Sequence, residues 1–281
     1  MSLPLYSPAR VAVLLEKYGL RATKSLGQNF LIDGNALRYM VEVSGTNSSS
    51  HVLEVGPGLG VLTHGLAETG ASVTALEKDT RLEAALLETL ADVPNAKVIF
   101  TDALEWDYSQ LPDNSILCAN LPYYISTALI TKFLESKKFS KLTFLVQREV
   151  AERLESAPGE DGYGFLSAVV SLYGSAKRLR DVSKNSFYPV PDVTSSIAQI
   201  TIREGAEPPK GMIKILEAAL HHRRKTIRNN LRLAKYSDEK IDAALLYAKL
   251  EPRTRGEDIP LEQLALVAEV LEAGLKGEGQ K

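Results

Sequence analysis

The chain is poor in the residues that several common kinds of protein require. Only one of its 281 residues, Cys118, is a cysteine, which excludes a disulfide scaffold and a multi-cysteine metal site and is typical of a reducing compartment. No run of about 18 apolar residues occurs, so the sequence predicts no membrane span. The apolar N-terminal patch is bracketed by Arg10 and Glu16 and predicts a short amphipathic helix rather than a signal peptide. The four histidines have no metal-ligand spacing, so no metal is expected.

An excess of charge of one sign is also absent. The chain has 33 basic and 35 acidic residues, a net charge of −2, which speaks against a protein that is positive over its whole surface and weakly against a nucleic-acid partner. Its hydrophobic share of 44% is ordinary for a folded protein. At roughly 150 residues per domain, the length predicts about two domains.

Residues 51–146 alternate short β-rich runs with segments of helical spacing, which is the pattern of βαβ units around a parallel sheet. Two later β-runs, 176–182 and 195–202, are joined by a proline-rich stretch that is too short for a long helix. We therefore expect these two runs to complete the sheet as antiparallel strands. The predicted fold class is α/β, with a Rossmann-like and mostly parallel sheet.

After this sheet the pattern changes to helical spacing alone. A linker at 204–209 separates the two patterns and contains two prolines. The sequence therefore predicts an α/β domain over residues 1–203 and a small all-helical domain over residues 204–281. One of its helices is predicted over 223–234.

The first strand of the α/β domain ends in the glycine-rich turn Glu-Val-Gly-Pro-Gly-Leu-Gly at 54–60. A dinucleotide-binding fingerprint would need a further glycine at 61, where Val61 stands. Pro57 also removes an N–H group that a pyrophosphate could have used. These features favour a ligand without phosphate, of which S-adenosylmethionine (SAM) is the common one, over NAD. Gly56 and Gly58 are the candidates for close approach to it, although such a turn can also bind nothing.

Each of the next two strands ends near a carboxylate. Glu77 lies 21 residues after Gly56, where it can accept hydrogen bonds from both ribose hydroxyls of a nucleoside ligand. Asp102 could accept a hydrogen bond from an adenine amino group. From the residues alone, Glu77 could instead be a solvated residue of the following helix, and Asp102 could instead be a helix N-cap.

The fourth strand ends in Asn120, Leu121, Pro122 and Tyr123, a group suited to methyl transfer onto the amino nitrogen of a base. The lone pair of that nitrogen is delocalised into the ring. Acceptors for its protons, the side-chain oxygen of Asn120 and the carbonyl of Leu121, would localise the lone pair. Pro122 would stiffen the turn, and Tyr123 offers a face on which the base can stack, a contact worth about 1–3 kcal/mol. A strand-ending turn with a core tyrosine is the alternative.

Phe187 begins a stiff loop that contains two prolines and lies between the last two strands. Its ring could close on the second face of the base. The alternative is that this loop is a packed plug in which Phe187 belongs to the core.

Positive charge is concentrated at one place in the helical domain. Residues 210–235 hold eight basic residues against a single acid. This concentration predicts contacts to nucleic-acid phosphates, with a solvated helix face as the alternative. Tyr236 is the one aromatic residue near this cluster, so we expect contacts to the nucleic-acid backbone rather than base reading. The candidate nucleic-acid-binding residues are Arg223, Arg224, Lys225 and Arg228.

Together these motifs resemble the small-subunit ribosomal RNA adenine N6,N6-dimethyltransferases over nearly the whole chain. Leu26 is one departure, because phenylalanine is frequent there in this family. The resemblance is carried by Lys24–Leu31, the glycine turn, Glu77, Asp102, Asn120–Tyr123, Phe187, Pro189, Pro191, Val193, Ser195, Arg223–Thr226, Asn229–Leu231, Arg253, Arg255 and Glu257.

The resemblance implies the fold of a SAM-dependent methyltransferase and a role for each matching residue. It implies that Gln28, Asn29 and Leu31 surround SAM from the N-terminal side. It also implies Gly56 near the methionine part, Glu77 at the ribose, Asp102 at the adenine and Asn120 at the point of methyl transfer. Tyr123 and Phe187 would enclose the target adenine.

The implied substrate is a pair of adjacent adenosines in the 3′-terminal hairpin loop of 16S rRNA, within an immature 30S particle. The single cysteine predicts a cytoplasmic protein, which we expect to be a monomer, and the resemblance links it to small-subunit biogenesis. One alternative is a 23S rRNA methylase of the antibiotic-resistance type. Another is an assembly factor without enzymatic activity, which the intact Asn120–Tyr123 motif disfavours.

Overall fold

The computed structural model describes residues 4–23, 27–222 and 224–273. The chain forms two compact units, and it passes between them more than once. The first unit comprises Met1–Ala151 and Ala176–Ile202, and the second comprises Glu152–Ser175 and Arg203–Lys281. The break after Ile202 lies next to the predicted boundary, but 152–175, which the prediction assigned to the α/β domain, packs with the C-terminal residues.

Seven strands of the described residues form one sheet: β2 (His51–Val55), β3 (Ser72–Glu77), β4 (Ala96–Phe100), β5 (Ser115–Asn120), β6 (Phe139–Gln147), β7 (Gly174–Val182) and β9 (Ser195–Ile202). Their order in the sheet is β4-β3-β2-β5-β6-β9-β7. The neighbours β4, β3, β2, β5 and β6 run parallel, and β9 pairs antiparallel with β6. The α/β fold class is therefore confirmed.

Two further strands, which the sequence patterns did not predict, form a short antiparallel ribbon. β1 (Phe30–Leu31) pairs with β8 (Phe187–Tyr188), so that Phe30 lies opposite Tyr188 and Leu31 lies opposite Phe187. Residues that lie opposite each other in an antiparallel pair have their side chains on the same face. Leu31 and Phe187 accordingly share one apolar cluster in the core.

Helices accompany the parallel strands, because only a crossover connection can return the chain to the same edge of a parallel sheet. In the helix over Ser126–Ser136, the apolar side chains at 129, 130, 133 and 134 are all buried. The helices of the first unit are α1 (Pro8–Lys17), α2 (Gly34–Ser44), α3 (Val61–Ala67), α4 (Glu83–Thr89) and α5 (Ser126–Ser136), and α6 (Arg148–Glu155) leads into the second unit.

The N-terminal helix α1 is held on α4 by both apolar and charged contacts. Val11 and Leu14 are fully buried in a cluster that includes residues of α4. Glu88 of α4 accepts hydrogen bonds from Arg10 (2.9 Å), Lys17 (2.5 Å) and Tyr18 (2.5 Å). The predicted amphipathic helix therefore forms and buries its apolar side.

The described part of the second unit is helical. Its last four helices agree with the predicted helical region, except that the helix predicted from Arg223 begins only at Ile227. Thr226 has an extended backbone and its hydroxyl accepts from Asn229 N at 3.4 Å, which starts the helix there. The helices of this unit are α7 (Phe165–Tyr173), α8 (Met212–Leu220), α9 (Ile227–Leu233), α10 (Asp238–Tyr247) and α11 (Leu261–Ala273). Within the described residues, no helix is both long and apolar enough to span a membrane.

Candidate active site

A cavity opens at the carboxyl edge of the parallel sheet, next to the point where the strand order reverses between β2 and β5. Ligands of doubly wound α/β proteins bind at this kind of position. The space enclosed by the cavity and its open mouth is about 750 Å³. Ten of the predicted site residues line it: Gln28, Asn29, Gly56, Gly58, Glu77, Asp102, Asn120, Leu121, Pro122 and Tyr123.

The glycine turn forms a thin wall of this cavity. Gly56 and Gly58 have φ values of 73° and 59°, a backbone conformation that favours glycine. A Cβ on Gly58 would lie 3.0 Å from the ring of Phe30, and one on Gly56 would lie 3.9 Å from the carbonyl oxygen of Asn120. The absence of side chains therefore keeps open the space that a ligand close to the backbone would need.

Glu77 lies at the end of β3 and is buried, with 6% of its surface exposed. One carboxylate oxygen accepts from the N–H of Gly58 at 3.2 Å and the other from the N–H of Asp79 at 2.8 Å. Burial raises the pKa of this carboxyl above its ordinary value, and the two backbone donors partly offset that effect. Each oxygen can accept a second hydrogen bond, so Glu77 can still receive two hydroxyl donors.

Asp102 caps a turn and also lies in the cavity wall. Its Oδ1 accepts from the N–H of Leu104 at 2.9 Å and so caps the turn after β4. Its Oδ2 accepts from Nζ of Lys78 at 2.7 Å, and this lysine lowers the pKa of the Asp102 carboxyl. A capping aspartate thus also lies in the cavity wall.

The side chain of Asn120 is held by a residue 91 positions earlier in the chain. Its Nδ2 donates to the backbone carbonyl of Asn29 at 3.0 Å. Because the amide nitrogen is engaged in this way, the Oδ1 atom is the end of the carboxamide that can accept a hydrogen bond from a substrate amine. Asn29 Nδ2 in turn donates to the carbonyl of Gly27 at 3.1 Å, which stabilises this segment of the wall.

Tyr123 is in the cavity wall and is held by its hydroxyl. The hydroxyl shares a hydrogen bond of 2.6 Å with Ser195 Oγ at the start of β9. Burial raises the pKa of this phenol above its ordinary value, so it is neutral at physiological pH. A phenol fixed at its far end presents its ring in one orientation, as a stacking platform requires.

Two predicted residues do not reach the cavity wall. Phe187 is 1% exposed and Leu31 is 5% exposed, and both pack in the core beneath the β1–β8 ribbon. The neighbour of Phe187 in the ribbon, Tyr188, is instead 46% exposed. The arrangement of Phe187 is thus that of the packed plug, because the pairing of β8 with β1 turns its ring inward.

Gln28 lines the cavity, but both ends of its side-chain amide already form hydrogen bonds within the protein. Its Oε1 accepts from the N–H of Thr23 at 2.8 Å, and its Nε2 donates to Asp79 Oδ2 at 2.8 Å. The side chain of Gln28 therefore holds the wall in place before any ligand binds.

The candidate RNA-binding residues differ in their surroundings. Arg223 lies outside the described residues. Arg224 and Lys225 are exposed in the turn between α8 and α9, not on a helix as predicted. Arg228 is on α9, but its guanidinium donates to both carboxylate oxygens of Asp242 at 3.0 and 2.8 Å, so this cation is already engaged.

The turn before α9 is joined to a second basic segment. Thr226 forms an antiparallel bridge with Arg255, and Ile227 N donates to the carbonyl of Thr254 at 2.8 Å. Gly256 lets the same segment pack closely on α8, because a Cβ there would lie 2.1 Å from the carbonyl oxygen of Ala219. The exposed side chains of Arg253 and Arg255 thereby belong to the same part of the second unit as Arg224 and Lys225.

Sequence reasoning missed several residues of the cavity wall, among them Phe30, Lys78 and Tyr124. Two of them could have been found from their positions in the sequence, because Lys78 directly follows Glu77 and Tyr124 directly follows Tyr123 at strand ends. Among the residues that the structure describes, no group of three or more His, Cys, Asp or Glu side chains is arranged to hold a metal ion.

The chain is similar to known proteins over nearly its whole length. Residues 19–273 match the family described as "Ribosomal RNA adenine dimethylase". The chain is 53% identical over 271 residues to "Ribosomal RNA small subunit methyltransferase A" of Deinococcus radiodurans, covering 96% of this chain and 92% of the relative. It is 38% identical over 290 residues to the protein of the same name from Shouchella clausii, covering 96% of each chain.

Two solved structures are similar over most of the chain. The 23S rRNA methyltransferase ErmE has a TM-score of 0.62 and 27% identity, covering 87% of this chain and 100% of that one. A dimethyladenosine transferase from Plasmodium falciparum has a TM-score of 0.71 and 22% identity, covering 88% and 98%, and supports the fold alone. From the family match over 19–273 and the two full-length relatives, the chain belongs to the ribosomal RNA adenine dimethylase family and is a SAM-dependent rRNA adenine dimethyltransferase.

Proposed function

We propose that this enzyme dimethylates the N6 amino groups of two adjacent adenosines in the 3′-terminal hairpin loop of 16S rRNA, within an immature 30S particle. The relatives that carry the name small subunit methyltransferase A support this choice of substrate. The observation that carries the chemistry is the anchored carboxamide of Asn120, whose Nδ2 donates to Asn29 O at 3.0 Å. Such a substrate would assign the protein to the cytoplasm.

The cavity residues suit SAM as the methyl donor. Glu77 would accept from the ribose hydroxyls, Asp102 would accept from the adenine amino group, and the open backbone at Gly56 and Gly58 would admit the methionine part. When bound, SAM supplies an electrophilic methyl group on a sulfonium that needs no metal to leave. The chain itself therefore has to orient the target amine and to localise its lone pair.

That task falls to the residues after β5. Asn120 Oδ1 and the carbonyl of Leu121 would accept hydrogen bonds from the two N–H groups of the target amine. These hydrogen bonds would pull the nitrogen towards tetrahedral geometry and localise the lone pair on it, and after methylation the nitrogen would release one proton to solvent. The ring of Tyr123, fixed by Ser195, would stack on one face of the base. The second methylation needs the same site to accept the monomethylated amine, which has only one proton left to donate.

Phe187 can stack on the target base only if the β1–β8 ribbon changes its conformation. Its ring is 1% exposed and packs on Leu31, so it can stack on a base only if β8 moves. Replacing Phe187 with leucine would preserve an apolar core residue while removing the aromatic face. We expect this variant to keep its SAM affinity and to lose turnover on RNA. Turnover equal to that of the wild type would mean that Tyr123 stacks on the base and Phe187 does not.

We further propose that the second unit binds rRNA through the turn before α9 and the segment 253–255, and that the functional division of the chain lies near residue 204. Arg224, Lys225, Arg253 and Arg255 are exposed and form no ion pair with another described residue. Unpaired cations can neutralise phosphates without first breaking an ion pair. This surface is local, which fits a net charge of −2 for the whole chain.

One experiment tests the substrate. Unmethylated 30S particles and bare 23S rRNA are each incubated with the protein and SAM, and the RNA is analysed by mass spectrometry. We expect two N6,N6-dimethyladenosines near the 3′ end of 16S rRNA, none in 23S rRNA, and no product with an Asn120→Ala variant. Methylation of 23S rRNA alone would support the resistance-type activity instead, and binding to 30S particles without any methylation would support a non-enzymatic assembly factor.

A further inference from the structure

The turn after β3 contains a carboxylate that is outside the cavity wall but is bonded to it. Asp79 is 6% exposed and accepts hydrogen bonds on both oxygens. Arg81 donates through Nε to Oδ1 at 2.7 Å and through Nη2 to Oδ2 at 2.6 Å. These bonds lower the pKa of the Asp79 carboxyl, so the group is ionised at neutral pH. A buried ionised carboxylate with a bidentate arginine has one fixed orientation.

The same carboxylate holds Gln28. Gln28 Nε2 donates to Asp79 Oδ2 at 2.8 Å, while Gln28 Oε1 accepts from the N–H of Thr23 at 2.8 Å. Arg81 Nη2 also donates to Thr23 Oγ1 at 2.7 Å. The four residues form a closed set of hydrogen bonds, so the place of Gln28 in the wall depends on Asp79.

Asn29, the next residue, makes the contact that orients the amide at the proposed point of methyl transfer. Its backbone carbonyl accepts from Asn120 Nδ2 at 3.0 Å. If this carbonyl moved away, the carboxamide of Asn120 could rotate and present its NH₂ group to the target amine. Two groups of donors would then face each other, and the acceptor that localises the lone pair would be lost.

We propose that Asp79 is a positioning residue for methyl transfer, which acts through Gln28 and the carbonyl of Asn29 to keep the Asn120 oxygen directed at the target amine. The inference rests on the role proposed above for Asn120. It assigns a function in turnover to a residue that lies outside the cavity wall. The relay has two hydrogen bonds, in which Gln28 Nε2 donates to Asp79 and Asn120 Nδ2 donates to the carbonyl of Asn29, and the peptide bond between Gln28 and Asn29 joins them.

A double-mutant cycle tests this relay. In Gln28→Glu a second carboxylate faces Asp79 and repels it, and in Asp79→Asn the charge that holds Gln28 and Arg81 is lost. In the double variant the donor and acceptor are exchanged, because the new amide at position 79 can donate to the new carboxylate at position 28, and that carboxylate still accepts from Thr23. We measure single-turnover methylation of unmethylated 30S particles at saturating SAM, together with SAM affinity by calorimetry.

We expect each single variant to lower the single-turnover rate by about tenfold or more, because small misplacements of a reacting constellation have effects of this size. SAM affinity should change less than the rate, and the double variant should recover to within about threefold of the wild type. Asp92→Asn removes an exposed carboxylate of the same unit and should leave the rate unchanged.

The relay is wrong if the single variants keep the wild-type rate. It is also wrong if the rate of the double variant is no higher than that of the slower single variant, although the wild type and the three variants melt at the same temperature. A loss of thermal stability without recovery in the double variant would mean that Asp79 is needed for folding alone, which also overturns it. The proposed substrate is judged separately, by whether the wild type methylates the particles; if it methylates another RNA, the same cycle is run on that RNA.

Discussion

The ammonium of Lys78 lies 2.7 Å from Oδ2 of Asp102, so an ion pair connects the turns that follow β3 and β4 in the cavity wall. The paired oxygen belongs to the carboxylate to which we assign the adenine amino group of SAM. The lysine side chain is 55% exposed, and exposed ion pairs contribute only about 0–1 kcal/mol. A ligand can therefore displace this lysine at small cost.

Replacement of Lys78 with methionine should preserve or strengthen SAM binding. The change removes a competitor for Asp102 but keeps the length of the side chain, so we expect the affinity to rise by up to about fivefold. Calorimetric titration with SAM measures this. Asp102→Asn is the matched variant and should weaken binding; a weaker affinity for Lys78→Met would instead make the lysine a ligand of SAM.

Loss of the Glu77 carboxylate should weaken SAM binding strongly. A hydrogen bond to a charged acceptor is worth roughly 1.5–3 kcal/mol, so Glu77→Ala should reduce the affinity by about tenfold or more, and Glu77→Gln by less. Glu83→Ala, on the neighbouring helix α4, is the control for a lost surface carboxylate. Unchanged SAM affinity in Glu77→Ala would show that Glu77 does not bind the ribose of SAM.

The proposed RNA surface predicts a change in salt dependence. Each phosphate contact contributes about 0.7–0.9 to the slope of log affinity against log salt concentration, so replacing Arg224, Lys225, Arg253 and Arg255 with alanine should flatten the slope by about two to four. SAM affinity should not change. Binding to unmethylated 30S particles is measured between low and moderate salt.

Arg228→Ala provides the contrast for this experiment. Asp242 already engages this guanidinium at 2.8 Å, so we expect the slope to change by less than about one for this variant. A large effect of Arg228→Ala, with no effect of the fourfold variant, would contradict the proposal. It would indicate that RNA binds to helix α9 and not to the turn before it.

A buried carboxyl beneath the glycine turn predicts a pH dependence of stability. Glu54 in β2 is 1% exposed, and its Oε2 has no hydrogen-bond partner among the described residues. Burial raises its pKa to about 8. Since the unfolded chain releases this proton near pH 4.5 and the folded chain retains it, the contribution of Glu54 to stability falls as the pH rises from about 4.5 to 8.

Glu54→Gln removes this titration. The melting temperature of the variant relative to the wild type should therefore rise as the pH increases from about 5 to 8, the window set by the raised pKa of about 8. Thermal unfolding at several pH values measures the difference. Parallel pH profiles of the two proteins would show that Glu54 titrates normally in the folded chain.

Local sequence signals predicted much of the cavity wall, for a geometric reason. The carboxyl ends of parallel strands meet at one edge of a sheet, so Gly56, Glu77 and Asn120 come together once their strands are recognised. The pattern of strands and helices over residues 51–146 was enough to assign the fold class. The signal failed for the short strands β1 and β8, because two residues carry no periodicity.

The sequence by itself determined the fold class, the family and the residue types at the strand ends, because these depend on local patterns. Only the tertiary structure decided which of these residues face the cavity. Pairing of β8 with β1, far away in the chain, turned Phe187 inward, since side chains alternate between the two faces of a strand. Asp242 engaged Arg228, and Asn29 oriented Asn120 from 91 residues away, because hydrogen bonds and ion pairs form between groups that only the folded chain brings together.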